Sequence, residues 1–320
     1  MPVLKKSTYP GPPRYQFNAH LQTILPALFR KVNVPFERER LTLSDGDFVD
    51  LDWLDKGSRK LVILTHGLEG NTNRHYMKGM AEAFAKKGWD SLAWNCRSCS
   101  GEMNKKLRLY HHGEINDLEE VINHALHTKD YEQIVLIGFS MGGNINMKYL
   151  GVHADHLPAP IYKAVSISAP CDLHTSVKKL DEPVCRFYKK RFLKKLEPKI
   201  KFKSQQYPDK IDYSLYKTIK NWRDFDQFYT INLNGFKSPD EFYTQGSAIN
   251  FLDKLRIPTL LINALNDPIL TPECFPKSIA EKNPNLILEM PTTGGHVGFA
   301  MRSRKGAWTE ERALEFILGH

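Results

Sequence analysis

Ser140 stands in Gly138-Phe139-Ser140-Met141-Gly142, with a glycine two residues away on either side. A serine hydroxyl is a weak nucleophile until a base takes its proton. The G-x-S-x-G spacing suits a sharp turn from strand to helix, where side chains at the two outer positions would collide with neighbouring backbone. An apolar run, Ile134 to Ile137, leads into the pentapeptide, and a helix-length segment, Met141 to Leu150, leads out. Such a turn strains the serine backbone and lifts its hydroxyl above the sheet. The helix N-terminus that follows favours a developing negative charge. A Gly/Ser-rich strand-to-helix turn can also bind phosphate or do nothing, so the partners must decide.

In the architecture that uses this elbow, an acid and then a histidine follow the serine along the chain. Asp267 directly follows the apolar run Thr259 to Leu265, in Asn266-Asp267-Pro268, a strand end followed by a turn. A carboxylate there can project towards the serine, although a turn or N-cap aspartate ahead of a helix at Pro272 is the blander reading. Asp253 competes as the acid but sits before the strand. His296 lies in Gly294-Gly295-His296-Val297-Gly298, a glycine loop after the last strand that suits a mobile base. His20, His66, His111 and His112 are the other candidates. His66 and His112 precede Ser140 and so miss the required order, and His66 reads as a loop histidine bonded to backbone. An oxyanion hole needs two preorganised N–H donors. Met141, after the nucleophile, should supply one. Leu68, in Thr65-His66-Gly67-Leu68-Glu69-Gly70, should supply the other, with Gly67 allowing close approach of the backbone. This chemistry requires no metal and no organic cofactor.

The elements that would hold these residues alternate along the chain. The apolar runs are Leu61 to Leu64, Ser91 to Trp94, Ile134 to Ile137, Ala164 to Ile167, Thr259 to Ile262 and Leu286 to Glu289. Near-continuous apolar strands imply burial on both faces, hence a mostly parallel sheet covered by helices. Helices are expected over His75 to Lys87, Glu114 to His127, Met141 to Leu150, Pro272 to Lys282 and Thr309 to Leu318. Ahead of them a helix around His20 to Phe29 is followed by Phe36 to Leu43 and Phe48 to Leu54, a hairpin turning at Asp45-Gly46. Between about Cys171 and Asn250 there is no buried-strand pattern, only amphipathic helices, which reads as a lid over the carboxyl ends of the strands. The expected organisation is an N-terminal extension over 1–35, a core over 36–170 and 251–320, and a helical lid over 171–250.

Composition excludes several classes. Hydrophobic residues make up 41% and charged residues 25%, too apolar for a disordered chain. No run approaches the length of a membrane span. The N-terminus lacks the apolar stretch of a secretory signal. Five cysteines, an odd number, argue against a disulfide framework and for a cytoplasmic protein. Cys96-Arg97-Ser98-Cys99 has C-x-x-C spacing, but a zinc site needs about four ligands and no second close pair exists. The net charge of +9 favours acidic partners without selecting one. Much of it falls in the segment from Arg186 to Lys203, where Val184, Phe187, Tyr188, Leu193 and Leu196 recur at helical spacing. That segment reads as a lid helix with a solvated basic face. A functional version makes it an interfacial helix meeting an anionic membrane surface or the phosphates of an acyl-thioester. Nucleic acid is not an expected partner, because no base-reading module accompanies the basic run.

With these residues assembled, the chain resembles the YheT-like esterase family of the α/β-hydrolases, from about Asn18 to its end. The marks are Asn18-Ala19-His20-Leu21-Gln22-Thr23, His66-Gly67-Leu68-Glu69-Gly70, His112-Gly113 with Asp117, and the elbow continued by Gly143-Asn144. The lid adds Arg223-Asp224-Phe225-Asp226 with Tyr229-Thr230, then Gly235-Phe236. Asp267-Pro268 and Gly294 to Phe299 close the set. The resemblance implies an α/β-hydrolase fold and an esterase or acyltransferase acting on lipophilic acyl groups. It puts nucleophile, acid and base at Ser140, Asp267 and His296. Asn266 departs from relatives that commonly carry a second aspartate there, which leaves Asp267 as the unambiguous acid. The competing readings are acyl transfer to an alcohol in place of hydrolysis, and a non-catalytic lipid-binding protein on the same fold.

Overall fold

Leu61 and Ile63 pack into one apolar cluster while Val62 and Leu64, on the same strand, pack into another. This period-2 alternation, with both halves apolar, is why the sheet must be covered on both faces. The computed structural model describes residues 2–302 and 306–319. Residues 1, 303–305 and 320, which fall within the expected 1–35 and 251–320 segments, lie outside the described residues.

The strands are β1 (Glu37–Thr42), β2 (Phe48–Leu54), β3 (Lys60–Thr65), β4 (Asp90–Asn95), β5 (Gln133–Phe139), β6 (Ile161–Ile167), β7 (Thr259–Ile262) and β8 (Leu286–Glu289). They form one sheet in the order β1-β2-β4-β3-β5-β6-β7-β8. β1 and β2 pair antiparallel, as do β2 and β4, and every other neighbouring pair is parallel. The exposed edge strand β1 carries charges that match its register. Arg38 and Arg40 lie opposite Asp52 and Asp50 and bond them through both carboxylate oxygens.

Helix α1 (Ala19–Phe29) opens the chain, capped by the Asn18 side chain, which accepts from the N–H of Leu21 at 2.9 Å. α2 (His75–Ala85) follows β3, α3 (Asn116–Thr128) follows β4 and α4 (Met141–Val152) follows β5. The helical insertion read above as a lid lies between β6 and β7. Its helices are α5 (Leu173–Asp181), α6 (Arg186–Gln206), α7 (Trp222–Phe225), α8 (Ile231–Asn234) and α9 (Pro239–Gly246), and they bury a cluster of their own around Tyr188, Leu196, Trp222, Tyr229 and Phe242. α10 (Lys277–Lys282) and α11 (Trp308–Leu318) complete the core. The helix expected over Pro272 to Lys282 is broken into a single turn, Pro272–Cys274, and α10. Pro276 sits at the break, where its ring disfavours a helical conformation at Phe275.

The basic helix α6 differs from its expected wheel. Val184, just before it, and Phe187 are 50% and 56% exposed, while Tyr188, Leu196, Lys199, Ile200 and Lys203 are buried. Lys199 Nζ reaches the Glu69 carboxylate at 2.6 Å, and Lys203 Nζ donates to the carbonyls of Asn104 and Lys106. Two of the lysines assigned to a solvated face therefore fasten the lid to the core instead.

Candidate active site

The elbow glycines are sterically required. A Cβ on Gly138 would lie 2.3 Å from the carbonyl oxygen of Gly142, and one on Gly142 would lie 2.2 Å from that of Thr65. Ser140 sits between them at φ 54°, ψ −121°, a strained conformation for a residue with a side chain. The strain is held on both sides: the Ser140 N–H extends the parallel ladder by donating to the Ile167 carbonyl at 2.8 Å, and the Ser140 carbonyl accepts from the Gly143 N–H at 2.9 Å in the first turn of α4.

Asp267 and His296 converge on this serine. His296 Nδ1 lies 2.8 Å from Asp267 Oδ2, and His296 Nε2 lies 2.8 Å from Ser140 Oγ. An ionised carboxylate only accepts, so Nδ1 carries the proton and Nε2 is left to accept from the hydroxyl. The Asp267 side chain is fully buried, and its other oxygen accepts from the backbone N–H groups of Ile269 and Leu270 at 2.9 and 3.3 Å. The β3-end loop approaches the serine closely, so that a Cβ on Gly67 would lie 3.0 Å from that of Ser140. The Leu68 and Met141 N–H groups have no protein acceptor among the described residues. For Met141, the first residue of α4, that is the ordinary state of a helix N-terminus.

None of the other four candidate histidines bonds to Ser140 among the described residues, although His112 lines the slot beside it. His66 is buried, its Nδ1 2.8 Å from the Gly67 carbonyl and its Nε2 accepting from the Cys96 N–H. Burial pushes it down to about 4, so it is neutral at pH 7. His111 and His112 are pushed down to about 3 and about 4, again chiefly by burial. His20 Nδ1 meets the Tyr188 hydroxyl at 2.9 Å. All five cysteines are unpaired and buried, and no group able to hold a metal ion occurs among the described residues.

The histidine loop is strained and braced. Val297 and Phe299 have φ of 57° and 46°. The Thr23 hydroxyl accepts from the His296 N–H at 2.9 Å, and Gln22 Oε1 accepts from Gly294 N–H at 2.9 Å. Asn266 donates to Gln22 Oε1 and accepts from Gly295 N–H, while Ser168 Oγ accepts from Val297 N–H. α1 packs so closely that a Cβ on Gly298 would lie 2.0 Å from the Gln22 carbonyl. These bracing residues were missed in the chain-order argument. Gln22 and Thr23 fall in the Asn18–Thr23 motif and Asn266 beside Asp267, but their bracing role is not readable without the loop they touch.

Comparison with known proteins agrees with this geometry. The sequence profile of the alpha/beta hydrolase fold matches residues 60–301. The chain is 33% identical over 94% of its length to the Escherichia coli (strain K12) protein named "Putative esterase YheT", covering 90% of that protein. It is 26% identical over 97% of its length to a phospholipase of Mus musculus, covering 76% of it. Among solved structures, a Pyrococcus furiosus esterase superposes with a TM-score of 0.59 at 20% identity, covering 91% of this chain and 98% of that one, a likeness of fold alone.

Proposed function

The chain belongs to the α/β-hydrolase fold family and is an ester hydrolase, and on that premise we propose that Ser140, His296 and Asp267 cleave esters of lipophilic acyl groups through an acyl-enzyme. As His296 Nε2 takes the hydroxyl proton, Ser140 Oγ bonds to the ester carbonyl carbon. The carbonyl oxygen becomes an oxyanion facing the N–H groups of Leu68 and Met141. The C–O bond to the leaving alcohol then breaks as Nε2 returns the proton to the alkoxide. Water repeats the sequence to release the acid and free serine. Asp267 keeps the imidazole in the tautomer whose Nε2 can accept and offsets the positive charge that forms on it.

The observation that carries this reading is the unbroken chain of two 2.8 Å contacts from Oγ through the imidazole to a buried carboxylate. A lipophilic acyl group is supported by the slot beside Ser140, walled by Leu173, Val177, Leu180, Trp222 and Phe242. Ser140→Ala should lower kcat on a short p-nitrophenyl ester by roughly 10³ or more and abolish fluorophosphonate labelling. Near-wild-type turnover in the purified, folded variant would refute it.

A further inference from the structure

The cavity over Ser140 has two lobes that share Leu68, Phe192, Ile269 and His296. One is the apolar slot, about 40 Å³. The other, about 250 Å³, differs in its charge. Arg74, Arg191 and Lys195 line it, each half-buried. None of the three has an ion-pair partner among the described residues. Arg74 and Lys195 instead donate to the Glu69 carbonyl at 3.0 and 2.9 Å, and Arg191 makes no hydrogen bond among the described residues.

The carboxylate nearest to hand does not neutralise them. Glu69 lines the lobe too, but its Oε1 is taken by Lys199 at 2.6 Å and by the Tyr110 hydroxyl, so its single charge is already shared with a cation outside the three. A fourth cation on the lining, Arg30, is already paired with Glu310 at 2.7 Å. Burial first, and then the neighbouring Arg74, bring Lys195 down to about 8, as expected for an ammonium held among like charges. Three cations without an ion-pair partner among the described residues, facing one carboxylate already bound to Lys199, favour an anion in a partly desolvated cavity, and guanidinium forks suit a phosphate.

We propose that this lobe is a phosphate subsite, and that the substrate is an acyl ester whose leaving alcohol carries a phosphate a few bonds from the ester oxygen, as in an acylglycerol phosphate. The assignment rests on Ser140 as nucleophile, which fixes where the ester lies. The spacing follows from the loop: Glu69, on which two of the cations converge, is the residue after Leu68, whose N–H faces the oxyanion. One residue spans at most about 3.5 Å, and Glu69, at φ 51°, is not extended. The anion therefore sits close to the reacting carbonyl, and the long arm of an acyl-coenzyme A would carry its phosphates past these cations.

Calorimetry on the full chain separates the subsite from the chemistry, using the uncleavable ethers 1-octylglycerol 3-phosphate and neutral 1-octylglycerol. The phosphate ether should bind at least about tenfold tighter. Arg191→Gln should shrink that ratio to about threefold or less, and Arg191→Lys should restore most of it. A misfolded variant would weaken both ligands and leave the ratio in place. Equal binding of the two ethers by the unmodified protein would overturn the proposal, whether or not the protein cleaves esters. Octanoyl-coenzyme A displacing the phosphate ether at lower concentration than octanoylglycerol phosphate would overturn the short spacing. Tight, Arg191-dependent binding in a protein that hydrolyses neither ester would uphold the anion site and remove the Ser140 reading alone.

Discussion

Asp267→Asn is the most informative single substitution, because the structure dictates which way the new amide faces. Asp267 Oδ1 accepts from two backbone N–H groups, Ile269 at 2.9 Å and Leu270 at 3.3 Å, while Oδ2 faces the imidazole. An asparagine has one acceptor oxygen for these two duties. Turning its NH₂ towards the backbone would orphan two buried donors, at about 1–3 kcal/mol each. Turning its NH₂ towards His296 costs only a proton shift between ring nitrogens, so that orientation wins. Nδ1 then accepts, Nε2 carries the hydrogen and donates to Ser140 Oγ, and the base is gone. The fold is untouched, yet kcat should fall by roughly 10⁴, the scale of a wrong-tautomer defect, or about 5.5 kcal/mol in barrier. Steady-state hydrolysis of a short p-nitrophenyl ester measures it, with KM nearly constant and fluorophosphonate labelling slowed in parallel. A variant that melts like the parent but keeps kcat within tenfold would refute the reasoning, since some other group would then be holding the imidazole.

Thr23→Val keeps the shape of α1 but removes the acceptor for the His296 N–H; kcat should drop about tenfold, roughly 1.4 kcal/mol, and activity within twofold of the parent would show that the brace is dispensable. Asp226, buried in the lid and bonded by the hydroxyls of Thr230 and Tyr243, is pushed up to about 7 chiefly by burial. The folded chain therefore binds more protons than the unfolded one between the ordinary carboxylate range and about pH 7, and stability falls as pH rises through that window, by up to roughly 4 kcal/mol. Asp226→Asn should flatten the dependence of Tm on pH between 5 and 8, and parallel curves for the two proteins would contradict this.

The three residues proposed to react can be picked out of the sequence because their signals are local. Gly138 and Gly142 mark a turn that tolerates no Cβ, Asp267 marks a strand end, and the glycines around His296 mark a loop. Each can be read within a few residues of itself. The role of α1 was not legible, because Thr23 and Gln22 act on a loop more than 270 residues away. A helical wheel also misjudged α6. It ranks side chains by polarity, whereas Lys199 and Lys203 are buried for the sake of specific acceptors, the Glu69 carboxylate and two loop carbonyls. The three cavity cations come from two distant elements, the α2 N-terminus and the middle of α6, and their shared lack of an ion-pair partner among the described residues is a property of space.

Asn266 shows how such long-range fitting enters a position that looks like a simple departure from a family pattern. Its amide donates to Gln22 Oε1 and accepts from the Gly295 N–H, so it needs one donor and one acceptor. An aspartate would present two acceptors. Gln22 would then have to turn its NH₂ towards residue 266. That turn would take Oε1 from the Gly294 N–H, a bond that ties α1 to the loop, and the NH₂ from the Gln16 carbonyl, which holds the Gln22 side chain in place. Asn266 and Gln22 are therefore a matched pair. The residue beside the acid serves to hold the backbone that carries His296, and the departure from a second aspartate follows from that duty as much as from the need for a single acid.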